Sequence, residues 1–246
     1  MDSVSVSVSE KTFGQREAKG YQINVMIQPE AAYAPPDPTI SKIKYPLFMA
    51  GITTSNNLVG STIVTLKDKR AVRIEIYHGK SGLKKLVARM RDYVASLPGG
   101  KKTASFKMLQ RICQKLNNYK KPKKVKIKAV PDPEAAKEHS TSEQSFGSIY
   151  RLGMDALEVI KQVIGYLPSP PELTILGFTT FMGTVLTSDN DVAEAYNEWD
   201  NAVETRYALY EGDAGLREKI QQIKNYIAGQ YGKDSNLYKD ILKIKY

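Results

Sequence analysis

The feature of this chain that most constrains its fold is an internal repeat. Residues 10 to 113 align with residues 143 to 246 at a constant offset of 133 positions and without a gap. About 23 of the 104 aligned positions are identical, whereas unrelated sequences of ordinary composition would share about 6. The chain therefore holds two diverged copies of one module, which we call repeat 1 and repeat 2. Both should adopt the same fold.

Most identities between the repeats are glycine, proline, aromatic and apolar residues, the types that define turns and hydrophobic cores. Charged residues diverge freely; Lys85, for example, aligns with Glu218. Arg73 and Tyr77 lie four residues apart on a predicted helix, and a buried tyrosine hydroxyl there would need a partner. We interpret such shared residues as structural rather than as a ligand site. The polar residues that both repeats keep include Asn57, Arg73, Tyr77, Asn190, Arg206 and Tyr210.

Apolar residues at helical spacing predict four helices in each repeat. In repeat 2, Pro168 should end the first helix, because proline cannot continue one, and Ser188 or Asp189 should cap the third. Four amphipathic helices joined by short turns are satisfied by an antiparallel bundle. We therefore predict a mainly α protein of two tandem four-helix bundles related by the repeat. The predicted helices span residues 14–30, 38–53, 56–77 and 81–96, then 148–167, 172–187, 191–210 and 213–229.

Three short segments instead alternate apolar and polar residues, which is the period of a half-buried strand. They are SVSVSV at residues 3–8, KVKIKAV at 124–130 and ILKIKY at 241–246. None has enough neighbours to form a stable sheet alone, so they would have to pair with one another or with another subunit. The first segment, residues 3–8, is either a disordered tail or an assembly arm that adds a strand to a second molecule. The arm would use Val4, Val6 and Val8.

The charge divides the chain more sharply than its net value of +10 indicates. Residues 1 to 130 hold 25 Lys and Arg against 8 Asp and Glu, and the remainder holds 11 against 18. This asymmetry suggests a polyanionic partner for the basic half or head-to-tail attraction between copies of the protein. The predicted segments are a strand-like arm at 1–10, a basic bundle at 11–113, a Lys/Pro-rich linker at 114–142 and an acidic bundle at 143–246.

The linker and the residues before it carry the densest run of lysines. Such a row releases counterions from a phosphate backbone and could bind nucleic acid without reading its sequence. Tyr119 is the only aromatic residue close by for base stacking. The alternative is that the lysines are simply solvated. The candidate polyanion-binding residues are Lys101, Lys102, Lys120, Lys121, Lys123, Lys124, Lys126 and Lys128, with Lys107, Arg111 and Lys115 beside them.

Few residues of this chain could support catalysis. It has two histidines, His78 and His139, one cysteine, Cys113, and no glycine-rich phosphate-binding motif. Glu194 and Glu198 share a helix face, but no histidine accompanies them, so we interpret them as a solvated acidic face. We expect no enzymatic activity, catalytic residue, cofactor or metal.

The sequence has no run of apolar residues long enough to cross a bilayer and no basic-then-apolar secretory signal at its N-terminus. The single cysteine excludes an internal disulfide, which fits a reducing compartment. We therefore expect a cytoplasmic protein with no membrane partner.

Repeat 2 also carries a set of short motifs, among them Tyr-x-Pro, Arg-x-x-x-Tyr and Tyr-Gly-Lys-x-Ser-x-x-Tyr. In these motifs the chain resembles a family of uncharacterised bacterial tandem helical-bundle proteins. The resemblance implies the fold, and it implies no activity, cofactor or partner. The residues that carry it are 166–168, 190–192, 206–210, 215–216, 224–226 and 231–238.

Two functions remain open at this level. The first is a non-enzymatic scaffold that self-assembles into an oligomer or polymer through its N-terminal arm and its oppositely charged halves. The second is an architectural protein that binds nucleic acid through the lysine-rich segment 101–128.

Overall fold

The computed structural model describes residues 8–117 and 141–245 of the chain. These residues are mainly helical, as the sequence predicts, and no strand occurs among them. Short 3-10 turns at Pro38–Ile40, Gly100–Lys102 and Pro171–Leu173 join some of the helices. The helices are α1 Val8–Ile27, α2 Lys44–His78, α3 Leu83–Ser96, α4 Ala104–Asn117, α5 Thr141–Lys161, α6 Ile175–Glu211, α7 Leu216–Tyr231 and α8 Asn236–Lys243.

The strand predicted at the C-terminus is wrong, because its first residues form the last turn of α8. The Ser235 side chain caps this helix by accepting a hydrogen bond from the backbone N of Tyr238, at 3.2 Å. Ile241 and Ile244 are both buried and lie three residues apart. The alternating pattern therefore contained a helical spacing, and burial of that face favoured the helix.

The predicted N-terminal arm also ends earlier than expected. α1 begins at Val8, so the backbone of residues 8 to 10 is helical rather than extended. Val4 and Val6 lie outside the described residues, and so does the strand predicted at 124–130.

The second and third predicted helices of each repeat are one continuous helix, which corrects the prediction. The expected cap residues Ser188 and Asp189 lie inside α6, and the aligned Ser55 and Asn56 lie inside α2. Both serines are buried, while Asn56 and Asp189 form hydrogen bonds with tyrosine hydroxyls. Short polar side chains favour caps when they compete for nearby backbone groups. Here Asn56 and Asp189 form tertiary hydrogen bonds instead, and the helix continues.

The described residues form two compact units that do not follow the repeats. Unit 1 contains residues 8–64 and 197–245, and unit 2 contains residues 65–117 and 141–196. Each unit therefore combines the N-terminal half of one repeat with the C-terminal half of the other, and α2 and α6 contribute to both. One bundle per repeat is not confirmed. The repeat boundaries at residues 113 and 143 remain predictions from the alignment.

The core of unit 1 contains side chains from both repeats. Ile23 and Ile27 of α1 are buried together with Ile220, Ile223 and Ile227 of α7, and each set has helical spacing. Fully burying one such side chain contributes roughly 1.5–3 kcal/mol. The apolar face of α1 thus lies in one core with a helix that the other repeat supplies.

Unit 2 has the corresponding core. Leu86 and Met90 of α3, from repeat 1, are buried with Leu157 and Ile160 of α5, from repeat 2. α4 packs against both of these helices and adds its own buried face, which includes Leu109.

One aligned tyrosine fixes the loop before each long helix. The Tyr33 hydroxyl donates a hydrogen bond to the carbonyl oxygen of Ile40, and the Tyr166 hydroxyl donates to that of Leu173, both at 2.8 Å. Both tyrosines are buried. The shared sequence therefore produces the same local structure twice, in the loop from α1 to α2 and in the loop from α5 to α6.

Two glycines lead from α3 into α4. Gly99 and Gly100 have φ values of +81° and +43°, a region that side chains other than glycine rarely adopt. A Cβ atom on Gly100 would lie 2.8 Å from the carbonyl oxygen of Ala95. The turn they form lets α4 pack against α3.

We predict that Ile223→Ala lowers the free energy of unfolding by about 2–5 kcal/mol, because it leaves a cavity in the core of unit 1. Ile164→Ala is the matched control, since Ile164 is 97% exposed, and it should change stability by less than about 0.5 kcal/mol. Urea denaturation followed by circular dichroism measures both. Equal effects of the two substitutions would contradict this packing.

Candidate functional site

Two of the polar residues shared by the repeats, Arg73 and Tyr77, lie in a buried cluster of unit 2, whereas the shared Asn57 and Asn190 are exposed. The Tyr77 hydroxyl donates a hydrogen bond to Asp189 Oδ2 at 2.6 Å, and Arg73 Nη1 lies 3.9 Å from Asp189 Oδ1. The Arg73 guanidinium also stacks over the ring of Phe146, 4.1 Å from its centre. Arg73 and Tyr77 come from repeat 1, and Asp189 and Phe146 come from repeat 2.

Unit 1 holds the counterpart with the repeats exchanged. Arg206 lies over the ring of Phe13, 4.4 Å from its centre, and the Tyr210 ring packs edge-on against Phe13 with centroids 4.7 Å apart. Asn56, which aligns with Asp189, donates through Nδ2 to the Tyr210 hydroxyl at 2.9 Å and to Glu17 Oε2 at 2.7 Å. The shared arginine and tyrosine therefore perform the same packing role twice.

The electrostatics of these clusters suit a structural role. Burial, followed by the hydrogen bond to Asp189, raises the pKa of Tyr77 well above its ordinary range. Burial also raises the pKa of Tyr210. Both phenols stay protonated near neutral pH, so they act as hydrogen-bond donors or acceptors and not as phenolate bases.

The sequence identified the shared arginine and tyrosine but missed their partners. The sequence predicts Asp189 only as a possible helix cap, and Phe13 and Phe146 are aligned phenylalanines to which it assigns no role. The available signal was that position 56 of repeat 1 and position 189 of repeat 2 are both polar in the middle of a helical pattern.

A second candidate site is the exposed face of α4. This helix buries one apolar side, which includes Phe106 and Cys113. On the opposite side Lys107, Arg111 and Lys115 are exposed and recur every fourth residue, so they follow one face over about 12 Å. We use the name basic surface for Lys101, Lys102, Lys107, Arg111 and Lys115, all of which are exposed.

The basic surface differs from its neighbours in lacking carboxylate partners. None of its five residues forms an ion pair within the described part of the chain. In α3, by contrast, Arg89 pairs with Glu172 at 2.8 Å and Arg91 with Asp92 at 2.6 Å. The positive charge of α4 therefore faces solvent.

The structure places only part of the predicted polyanion site. Lys101 and Lys102 lie in the 3-10 turn before α4. The remaining candidates, Lys120, Lys121, Lys123, Lys124, Lys126 and Lys128, lie outside the described residues.

Other chemistry is sparse in residues 8–117 and 141–245. They contain no group of three or more His, Cys, Asp or Glu side chains that could hold a metal ion. Burial raises the pKa of the Cys113 thiol, so it stays protonated near neutral pH. None of the helices in these ranges is both long and apolar enough to cross a bilayer.

Comparisons with protein-family models, with curated proteins and with solved structures find no match to this chain. The resemblance to bacterial tandem helical-bundle proteins therefore stays a prediction. The function has to be argued from the residues of this chain.

We predict that Tyr77→Phe makes stability less sensitive to alkaline pH. Because the pKa of Tyr77 is raised by folding, the wild-type tyrosine ionises in the unfolded chain above about pH 10 while it stays neutral in the folded protein. It should thus cost up to about 1.4 kcal/mol of stability per pH unit above pH 10. The Tyr77→Phe variant has no phenol at this position, so its free energy of unfolding should fall less steeply as the pH rises above 10.

Urea denaturation between pH 8 and 11.5 measures this slope. Tyr207→Phe is the control, because Tyr207 is 62% exposed. Equal slopes for the two variants would show that Tyr77 is not protected from ionisation by burial.

Proposed function

We propose that this protein is a non-enzymatic architectural protein that binds nucleic acid through the basic surface of α4 and the lysine-rich segment that follows it. The observation that carries the proposal is a stretch of sequence without carboxylates. From Tyr93 to Pro131 the chain has eleven Lys and Arg and no Asp or Glu. Five of these cations form the exposed basic surface.

The geometry of α4 supports phosphate binding. Its buried apolar side holds the helix against α3 and α5, so the exposed cations lie on a rigid element. Lys107, Arg111 and Lys115 are spaced about 6 Å apart along the helix axis. Since no carboxylate of the described residues pairs with them, a polyanion would not have to displace an ion pair there.

The same surface is poorly suited to reading bases. Lysine contacts to phosphate release counterions and carry no sequence information. Met108 is the one large apolar side chain exposed on the described part of α4, and the helix presents no exposed aromatic ring for stacking. Binding should therefore depend strongly on salt and weakly on sequence.

We predict that replacing Lys107, Arg111 and Lys115 together by glutamine weakens binding to duplex DNA. If all three contact phosphates, the slope of log binding constant against log salt should fall in magnitude by about 2.7. Fluorescence anisotropy with a labelled duplex between 50 and 200 mM salt measures the slope. The melting temperature should change little, because all three side chains are exposed.

The matched control replaces Lys233, Lys239 and Lys245 by glutamine, which removes the same charge from exposed positions in unit 1. A third variant replaces Lys120, Lys121, Lys123 and Lys124. If the α4 variant and the control bind alike and only the third variant loses affinity, the segment after α4 carries binding without the helix. If none loses affinity, the nucleic-acid proposal fails.

The second candidate is the self-assembling scaffold. One observation favours it: no Lys or Arg occurs from Gln162 to Thr205, and Glu194, Glu198 and Glu204 of α6 are exposed. An acidic face on one copy could contact the basic surface of another, and repetition of that contact would give a ring or a filament. The arm residues proposed for this contact, Val4 and Val6, lie outside the described residues.

We predict for this second candidate that nuclease-treated protein forms particles larger than 27.5 kDa at low salt and dissociates at high salt. Size-exclusion chromatography with light scattering, with and without residues 1 to 10, makes the measurement. A protein that stays monomeric at high concentration and low salt would contradict the scaffold.

A further inference from the structure

The contacts between the repeats occur twice, once in each unit. Tyr33 packs edge-on against Tyr226 of the other repeat, with ring centres 5.2 Å apart, and Tyr166 packs against Tyr93 at the same distance. The Tyr226 hydroxyl accepts a hydrogen bond from the backbone N of Ala34 at 3.1 Å. The Tyr93 hydroxyl likewise accepts one from the backbone N of Leu167 at 3.3 Å. Because both repeats keep these residues, the contacts alone cannot distinguish an opposite repeat from a like one.

The ion pairs between repeats can make that distinction. Lys69 Nζ lies 2.8 Å from Asp191 Oδ2, and each is at least a third exposed. The alignment places Ala202 at the position of Lys69 and Leu58 at the position of Asp191. If two copies of repeat 1 were paired, Lys69 would face a leucine. If two copies of repeat 2 were paired, Asp191 would face an alanine.

A second pair in the same unit follows the same rule. Arg89 Nη1 lies 2.8 Å from Glu172 Oε1, and the aligned residues are Gln222 and Thr39. No ion pair would form at this place between like repeats.

Two further ion pairs join the repeats within the described residues, and they have the same direction of charge. Arg16 pairs with Glu211 in unit 1, and Arg73 lies 3.9 Å from Asp189 in unit 2. In all four pairs the cation belongs to repeat 1 and the carboxylate to repeat 2. Part of the difference in charge between the repeats therefore forms ion pairs within the chain.

We infer that each repeat presents an interaction surface that accepts the opposite repeat of the same chain, and that three of the ion pairs, Lys69–Asp191, Arg89–Glu172 and Arg16–Glu211, select it over a like repeat. The Arg73–Asp189 pair takes no part in this selection, because Arg206 aligns with Arg73 and would face Asp189 in a pair of repeat 2 copies. In a pair of like repeats the charges of the three selecting pairs would lack an ion-pair partner, which disfavours that pair. The shared aromatic contacts would stabilise either kind of pair. Pairing within one chain is favoured over pairing between chains, because the linker raises the effective concentration of one repeat near the other. This inference does not depend on nucleic-acid binding.

The test uses the full chain with a protease site inserted between residues 118 and 140. After cleavage the two fragments should remain a 1:1 complex in size-exclusion chromatography with light scattering. After unfolding and refolding of the cleaved protein, native mass spectrometry should find opposite-repeat pairs in at least about tenfold excess over like pairs. Fragments that separate and fold alone, or that pair without preference, would overturn the inference.

Charge reversal then tests the residues. Lys69→Asp with Arg89→Glu should raise the dissociation constant of the cleaved complex about tenfold, because it places like charges together at two exposed pairs. Adding Asp191→Lys with Glu172→Arg should restore the dissociation constant to within about threefold. The control, Lys67→Asp with Lys85→Glu, changes the net charge equally at exposed positions.

If the control weakens the complex as much as the reversal does, or if the compensating substitutions fail to restore it, net charge and not these pairs determines the preference. Should the reversed variant fold poorly after cleavage, the same cycle can be measured in the uncleaved chain. Its denaturant midpoint should fall on reversal and recover on compensation, and a lack of recovery would again overturn the assignment.

Discussion

The structure depends on the packing of the N-terminal half of each repeat against the C-terminal half of the other. In each unit an arginine lies over a phenylalanine of the opposite repeat, and a tyrosine one helical turn away packs against the same ring. Arg73 and Tyr77 hold Phe146 in this way, and the aligned residues of repeat 2 hold Phe13. The apolar faces of α1 and α5 are buried with helices that the other repeat supplies. The two repeats therefore complete each other's cores.

This packing explains why α2 and α6 are so long. Two polar residues in the middle of each helix would favour a cap, and so a break, in an isolated segment. In the protein Asn56 and Asp189 instead form hydrogen bonds with tyrosines of the opposite repeat while the helix continues through them. Each long helix can then contribute its first half to one unit and its second half to the other.

The distribution of charge follows from the same arrangement. Part of the basic excess of repeat 1 is neutralised by carboxylates of repeat 2, as at Lys69 and Arg89. The excess on α4 has no such partner among residues 8–117 and 141–245, because Lys107, Arg111 and Lys115 lie on the side of the helix opposite the core that it shares with α3 and α5. The cations in ion pairs contribute to the packing of the two repeats, whereas the exposed cations of α4 are accessible to a ligand. This accessibility is the basis of the proposal that α4 binds a polyanion.

The sequence by itself determined that the protein is mainly helical and is built from two copies of one module, because helical periodicity and residue identity are local properties. It also located Arg73, Tyr77 and the lysines before the linker. Only the tertiary structure decided which halves pack together, since an alignment of repeats is equally compatible with packing within a copy or between copies. For the same reason the Ser188–Asp189 cap was wrong, since Asp189 bonds to Tyr77, which lies 112 residues earlier in the chain. The C-terminal strand was wrong because burial of Ile241 and Ile244 in the core of unit 1 favours a helix, and an alternating hexapeptide does not show which of its residues will be buried.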